Sequence, residues 1–170
     1  RSNTHTHSSR ENVKLSQPEA NFWKIVKKNL PTGSRHWRSE NRAGSGIPDV
    51  YIIWDGFPIW AELMVTKSNK VLLSPSQIAW HMAHSDSGGL SFILVKHLGT
   101  GDIILFEGRD ARDVFRTGLH HDPLYRGSID GVLSHMKQMS HDHFLRVADC
   151  AVLRTAQPPG AAAKTRDCAS

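Results

Sequence analysis

The spacing of apolar residues along the chain predicts where its helices and strands form. Between Ser16 and Leu30, apolar residues recur every three or four positions, which is the period of an amphipathic helix, and Pro31 ends the run. Residues 36–41 are compatible with a short strand. A second helix is predicted over residues 74–88, because Ser-Pro provides a helix start and Gly-Gly a stop.

Two long apolar segments, PDVYIIW and FPIWAELMV, lie on either side of the dipeptide Asp55-Gly56. Asp-Gly supplies the positive φ angles of a type I′ turn, so the two segments are predicted to form a β-hairpin. Both segments are almost continuously hydrophobic, as in central strands that are covered on both faces. The hairpin is therefore placed in the middle of a sheet.

The second half of the chain repeats the alternation of strand and helix. The segments LSFILVKH and IILFEG predict a second hairpin, RDARDVFRTG a third helix and residues 128–147 further helix. The predicted fold class is α/β, with a central mixed sheet flanked by helices. The folded domain is predicted over residues 15–150, with a disordered polar segment at 1–14 and a flexible tail at 151–170.

The positive charge of the chain is concentrated near its start. The net charge is +5, and up to Arg42 nine Lys or Arg residues stand against three acidic ones, which leaves 12 against 13 in the remainder. A basic region of this kind favours polyanions, nucleic acid first, through phosphate contacts and the release of counterions. A solvated basic surface without a partner is the alternative.

Several classes of protein are not expected from the composition. No apolar run approaches the roughly 20 residues that span a bilayer, and the polar start RSNTHTHSSR does not read as a signal peptide, so a cytoplasmic location and no membrane partner are expected. Cys150 and Cys168 form no CxxC pair. The 11 histidines raise zinc as an alternative, but none has the spacing of a known zinc motif.

Two acidic residues interrupt the apolar hairpin. Asp49 stands at the start of its first strand and Glu62 in the middle of its second, so the two carboxylates can meet at one divalent ion. The alternative is a turn-capping Asp and a stray strand acid, although a carboxylate within an apolar strand is costly unless it is paired or bound to metal. Hard cations such as Mg²⁺ prefer oxygen ligands and activate water towards phosphate esters. Phosphodiester hydrolysis is the reaction that this pair predicts.

The segments GSGIPDVYII, AELMV and LSPSQIAWH, with 12 residues between Asp49 and Glu62, together resemble the core of the PD-(D/E)XK nuclease superfamily. They are similar to phage-encoded and virus-type replication-repair nucleases and to archaeal Holliday junction resolvases, over about residues 17–107. The resemblance implies a restriction-endonuclease-like fold and a metal-dependent DNA endonuclease, structure-specific or junction-resolving, in a bacterial or phage-infected cell. It implies Mg²⁺ with Mn²⁺ as a substitute, duplex or branched DNA as the partner, and a possible homodimer.

The resemblance also assigns roles to individual residues. Asp49 and Glu62 would be metal ligands, with the main-chain carbonyl of Leu63 as the third. Glu19 would come from the first helix to help hold the metal or its water, although acids at helix starts are common for dipole reasons alone. Gln77 would support substrate or ligand geometry near the active site, with an ordinary surface glutamine as the alternative.

Position 64 departs from the family pattern, which requires lysine two residues after the glutamate. An ammonium there orients the attacking water and offsets the charge that builds on the phosphate. Methionine nearly matches lysine in length and carries no charge, so Met64 is interpreted as a shape-preserving substitution that inactivates the enzyme, engineered or, as the alternative, natural. Lys67 is a poor replacement, because positions 62, 64 and 66 of a strand share one face and position 67 does not, unless the strand bulges or has already ended before it.

A DNA-binding surface is predicted around the same segments. Backbone N–H groups of the Gly-Ser-Gly lead-in and basic side chains can hold phosphates; the candidate residues are Arg35, Arg38, Arg42, Ser45, Lys67 and Lys70. Trp23, Trp60 and Trp80 are interpreted as core residues rather than base-stacking platforms. The alternative from another functional class is a DNA-binding module without catalysis, a nuclease fold that lost its lysine naturally.

Overall fold

The computed structural model describes residues 17–39 and 46–155. A six-stranded sheet, with strand order β1 to β6 following the chain, is flanked by four α-helices. The elements are α1 (Gln17–Asn29), β1 (Arg35–Arg38), β2 (Val50–Trp54), β3 (Phe57–Thr66), α2 (Pro75–Asp86), β4 (Ser91–His97), β5 (Ile103–Glu107), α3 (Ala111–Thr117), β6 (Tyr125–Gly127) and α4 (Ile129–Thr155). Among the described strands, only the β3–β4 pair is parallel. The predicted central mixed sheet flanked by helices is confirmed.

The hairpin predicted from Asp55-Gly56 is confirmed. Asp55 has φ of 50° and Gly56 of 86°, the two positive values that a type I′ turn needs. Strands β2 and β3 pair directly across this turn, with Trp54 opposite Phe57. The expectation that both strands are covered on both faces is wrong for β2, because Tyr51, on one of its faces, remains half-buried.

Two parts of the chain differ from the prediction. The short strand β6 was not predicted, since three residues are too few to show an alternation of apolar and polar positions. Helix α4 is one continuous element that runs past the predicted boundary at residue 150 to Thr155. None of the described helices is long and apolar enough to cross a bilayer.

The first face of the sheet packs against α1 and α4. Phe22 and Val26 of α1 and Val132 and Met136 of α4 are buried against alternate strand residues. The strand residues of this face are Val50, Ile52, Ile59, Ala61, Leu63, Phe92, Leu94, Ile103 and Leu105. This cluster contains aliphatic and aromatic side chains and extends from β2 to β5, so it forms the main hydrophobic core.

The second face packs against α2 and α3 over only part of its width. Ile93, Val95, Ile104 and Phe106 of β4 and β5 form a separate buried cluster with Val114 of α3. No residue of β1 or β2 belongs to this cluster. The second face therefore changes, on the side of β1 and β2, from a closed core to a surface that carries polar and aromatic side chains.

Candidate active site

Asp49 and Glu62 lie together where β2 begins. Val50 pairs with Ala61, and the same antiparallel register continued by one residue sets Asp49 opposite Glu62. Directly opposite residues of an antiparallel pair point to one face of the sheet, here the second face. Each residue is only 1% exposed. Two carboxylates are thus enclosed side by side at the edge of a core.

The main chain of Leu63 completes this edge. Its N–H donates to Oδ2 of Asp49 at 3.1 Å, so Leu63 directs its backbone towards the side where β2 has ended. The N–H and C=O of one strand residue point to the same neighbour, which directs the Leu63 carbonyl to that side as well. Proline at position 48, just before the strand, has no N–H that could bond to that carbonyl.

Three oxygen-bearing groups at this edge could hold a hard divalent cation: the carboxylates of Asp49 and Glu62 and the carbonyl of Leu63. Such an oxygen donor set suits Mg²⁺ or Mn²⁺, which retain waters in the remaining positions. Within residues 17–39 and 46–155, no group of three His, Cys, Asp or Glu side chains comes together as a metal site. The fit rests on the two carboxylates and the backbone.

A glycine in the lead-in to Asp49 fixes the loop onto α2. Gly46 is buried with φ of 65°, and a Cβ at this position would lie 2.0 Å from the carbonyl oxygen of Ser76 and 2.9 Å from the nitrogen of Gln77. Only glycine fits both the positive φ and the close approach. The segment that delivers Asp49 is thus held against the first turn of α2.

Met64 occupies the position next to Glu62 on the second face. Its register partner on β4 is Val95, and its side chain packs, half-buried, on the second cluster. The β4 residues paired with positions 60, 62 and 64 of β3 are Ser91, Ile93 and Val95. Lys96 is paired with Val65 and so belongs to the first face. Neither β3 nor β4 offers a lysine beside Glu62 on the second face.

Lys67 follows the last residue of β3 and is exposed. Its loop is fixed by Thr66, whose Oγ1 contacts the carbonyl oxygens of Ser68 and Lys70. The main chain of Asn69 accepts from the N–H of Leu119 at 2.8 Å. Lys67 and Lys70 thus project from a braced loop beyond β3, and their predicted phosphate contacts stay a prediction.

A buried histidine lies between α2 and the start of β4. His81 is 0% exposed, and its Nδ1 lies 2.8 Å from Oγ of Ser91. Burial, with a smaller effect from His84, lowers the pKa of His81 from 6.5 to about 4. His81 is therefore neutral at physiological pH. Together with Ser91, it forms a polar pair on the second face. Ser91 pairs with Trp60, which is two residues from Glu62 on the same strand.

Glu19 and Gln77 are placed differently from Asp49 and Glu62. Glu19 lies half-buried in the first turn of α1, the helix that packs on the first face, whereas the carboxylates are on the second. Gln77 closes a capping box: its Oε1 accepts from the N–H of Ser74 at 2.8 Å, and its own N–H donates to Ser74 Oγ. This is a helix-stabilising role. Both catalytic assignments stay predictions.

Two of the predicted DNA-binding arginines, Arg35 and Arg38, lie on β1. Arg35 is exposed and pairs with Ile53, which places it on the second face. Arg38 pairs with Val50 of the first face, and its Nε and Nη2 are shielded from solvent. Arg42 and Ser45 lie outside the described residues.

The tryptophans divide into two groups. Trp23 is 8% exposed, and Trp60 and Trp80 are half-buried with their rings 5.7 Å apart, as expected of residues packed within the fold. Trp37 of β1 is 53% exposed and was not singled out from the sequence. The signal that could have identified it is its place between two arginines in a strand of only four residues.

Comparison with known proteins finds similarity among solved structures. No family model matches the chain, and no curated protein matches it. Among solved structures, the chain is similar to the Holliday junction resolvase Hjc from the archaeal hyperthermophile Archaeoglobus fulgidus, with a TM-score of 0.43 and 16% sequence identity. The likeness covers 54% of this chain and 74% of that one.

Proposed function

We propose that the chain has the scaffold of a metal-dependent DNA nuclease of the PD-(D/E)XK type, with Asp49, Glu62 and the Leu63 carbonyl as its metal site. The observation that carries the proposal is the buried pair of carboxylates set opposite each other on one face of the sheet. Two carboxylates enclosed side by side offer oxygen ligands on one face of the sheet, which is the donor type that a hard divalent cation prefers.

The residues of the site would perform separate tasks. Asp49, fixed by the N–H of Leu63, and Glu62 would position a Mg²⁺ or Mn²⁺ ion at the sheet edge. When bound, such an ion lowers the pKa of a water and polarises a phosphodiester. Gly46 and the capped start of α2 hold the loop before Asp49 in place. Arg35, Lys67 and Lys70 would contact phosphates of the DNA.

Met64 determines what this chain does with the DNA. Its thioether carries no positive charge, so it neither orients a water nor offsets the charge of the phosphorane-like transition state. We therefore expect this chain to bind a divalent ion and DNA and to cleave slowly or not at all. Loss of one such charged donor typically lowers the rate by about 10² to 10³-fold.

A second candidate function is a DNA-binding module that does not cleave. The observation in its favour is the packing of Met64 on the second hydrophobic cluster, where methionine is a fitting core residue. In that case the two carboxylates would hold a divalent ion that links the protein to the DNA without cleavage. Restoring lysine separates the two candidates.

The test compares cleavage of labelled DNA by this chain, by Met64→Lys and by Met64→Lys combined with Asp49→Asn. The substrates are a four-way junction, a flap, a linear duplex and a single strand, each with Mg²⁺, Mn²⁺ or EDTA. We expect metal-dependent cleavage by Met64→Lys alone. Preferential cleavage of the junction by a dimer would identify a resolvase. A correctly folded Met64→Lys variant that binds DNA and cuts none of the four would reject the nuclease and favour the binding module.

A further inference from the structure

We infer that the aromatic side chains beside the carboxylate pair form a stacking surface for an unpaired nucleotide of single-stranded DNA. This inference deepens the proposed function, on which it rests for the position of the phosphate. Three residues in register, Trp37, Tyr51 and Trp60, form the surface, which we call the aromatic row. They belong to β1, β2 and β3.

The aromatic row is continuous across three strands. The ring centroids of Trp37 and Tyr51 are 5.8 Å apart, and those of Tyr51 and Trp60 are 4.5 Å apart. Trp80 of α2 closes the inner end at 5.7 Å from Trp60. The outer end at Trp37 is 53% exposed. Within the described residues, the row thus begins beside α2 and ends at β1, the edge strand of the sheet.

The row lies directly next to the candidate metal site. Tyr51 is two residues from Asp49 and Trp60 two residues from Glu62, so all four side chains share the second face. Two residues along a strand correspond to roughly 7 Å. That separation places an aromatic ring within one nucleotide of a phosphate held at the carboxylates.

The charge around the row suits a nucleic acid strand. Arg35 is exposed on the same face, two residues from Trp37. Aromatic rings that accept bases, combined with cations that follow the backbone, are the features by which proteins bind single strands without reading their sequence. A stacked duplex has no base face to offer, so the occupant is an unpaired nucleotide.

Binding of a labelled oligo-dT strand and of a duplex of equal length tests the inference, by fluorescence anisotropy in EDTA. Absence of metal separates this test from the nuclease proposal. Trp37→Ala is expected to weaken single-strand binding about tenfold or more and duplex binding less than about twofold, with Trp37→Phe intermediate. Phe144→Ala removes an aromatic side chain of similar exposure on α4, 52%, and is expected to change neither.

Three results would overturn the inference. Equal weakening of single-strand and duplex binding by Trp37→Ala would show that the residue acts on the backbone or on folding. Unchanged single-strand binding would show that the row accepts no base. Loss of self-association in Trp37→Ala by sedimentation, with DNA binding intact, would assign the surface to a second copy of the chain.

Discussion

The two faces of the sheet differ in what they bury. The first face, under α1 and α4, encloses a continuous cluster of aliphatic and aromatic side chains. The second face, under α2, encloses most of the buried polar groups of the described residues, namely Asp49, Glu62, His81 and Ser91. Polar groups in a core destabilise it unless they are hydrogen-bonded or bound to a ligand. The first face contributes the main hydrophobic core, and the second combines a smaller core with the candidate site.

This difference places the site where a hydrophobic core ends. The cluster under α2 and α3 contains residues of β4 and β5 but none of β1 or β2. At that border, the strands of the sheet position the two carboxylates. The loop before Asp49 packs against α2 and covers them from the helix side. A site at such a border is preorganised by packing and lies next to the half-buried and exposed side chains of β1 and β2.

The largest expected effect comes from the loop that delivers Asp49. Gly46→Ala adds a Cβ 2.0 Å from a carbonyl oxygen of α2, whereas Gly56→Ala, its control with a similar positive φ, meets nothing within 4 Å. Positive φ alone costs alanine about 1–2 kcal/mol, and overpacking adds about 1–3 kcal/mol. Urea unfolding is expected to show the larger loss for Gly46→Ala, together with weaker Mn²⁺ binding. Equal losses in the two variants would contradict the docking of the loop on α2.

A smaller effect is expected when the pH is lowered, because of the buried His81 on the second face. The pKa of His81 falls from 6.5 to about 4 on folding, so between these values the unfolded chain binds the proton more tightly. The stability that neutral His81 contributes is present above pH 6.5 and is lost as pH falls towards 4. About 2 to 3 kcal/mol is at stake.

Urea unfolding at pH 7.5 and 4.5 measures this loss. His81→Asn keeps a polar atom near the position of Nδ1 and cannot become charged, so it is expected to reduce the difference between the two pH values. Phe22→Ala, the control on the first face, is expected to lower stability by a similar amount at both. An unchanged pH difference in His81→Asn would show that His81 is not the titrating group.

The sequence predicted the elements that depend on local chemistry. The Asp55-Gly56 turn, the capped start of α2 and the apolar strands follow from residue types and short spacings. The pairing of Asp49 with Glu62 also followed, because a hairpin fixes its own register. These features need no information from distant parts of the chain.

The rest depended on contacts between distant segments. That Glu19 and the carboxylates belong to opposite faces follows from where α1 packs, which no local pattern encodes. Gly46 packs against Ser76, which lies 30 positions further along the chain. The aromatic row brings together residues of three strands. Trp37 was missed for this reason: its neighbours are across the sheet and not along the chain.

The most direct measurement of the central claim is the titration of this chain with Mn²⁺, followed by electron paramagnetic resonance of the free ion. We predict one tightly bound ion per chain, with affinity reduced at least tenfold in Asp49→Asn and in Glu62→Gln and unchanged in Asp142→Asn, an exposed acid of α4. Mn²⁺ binding that survives both site substitutions, or that is absent from the unaltered chain, would contradict the assignment of a metal site to this edge of the sheet.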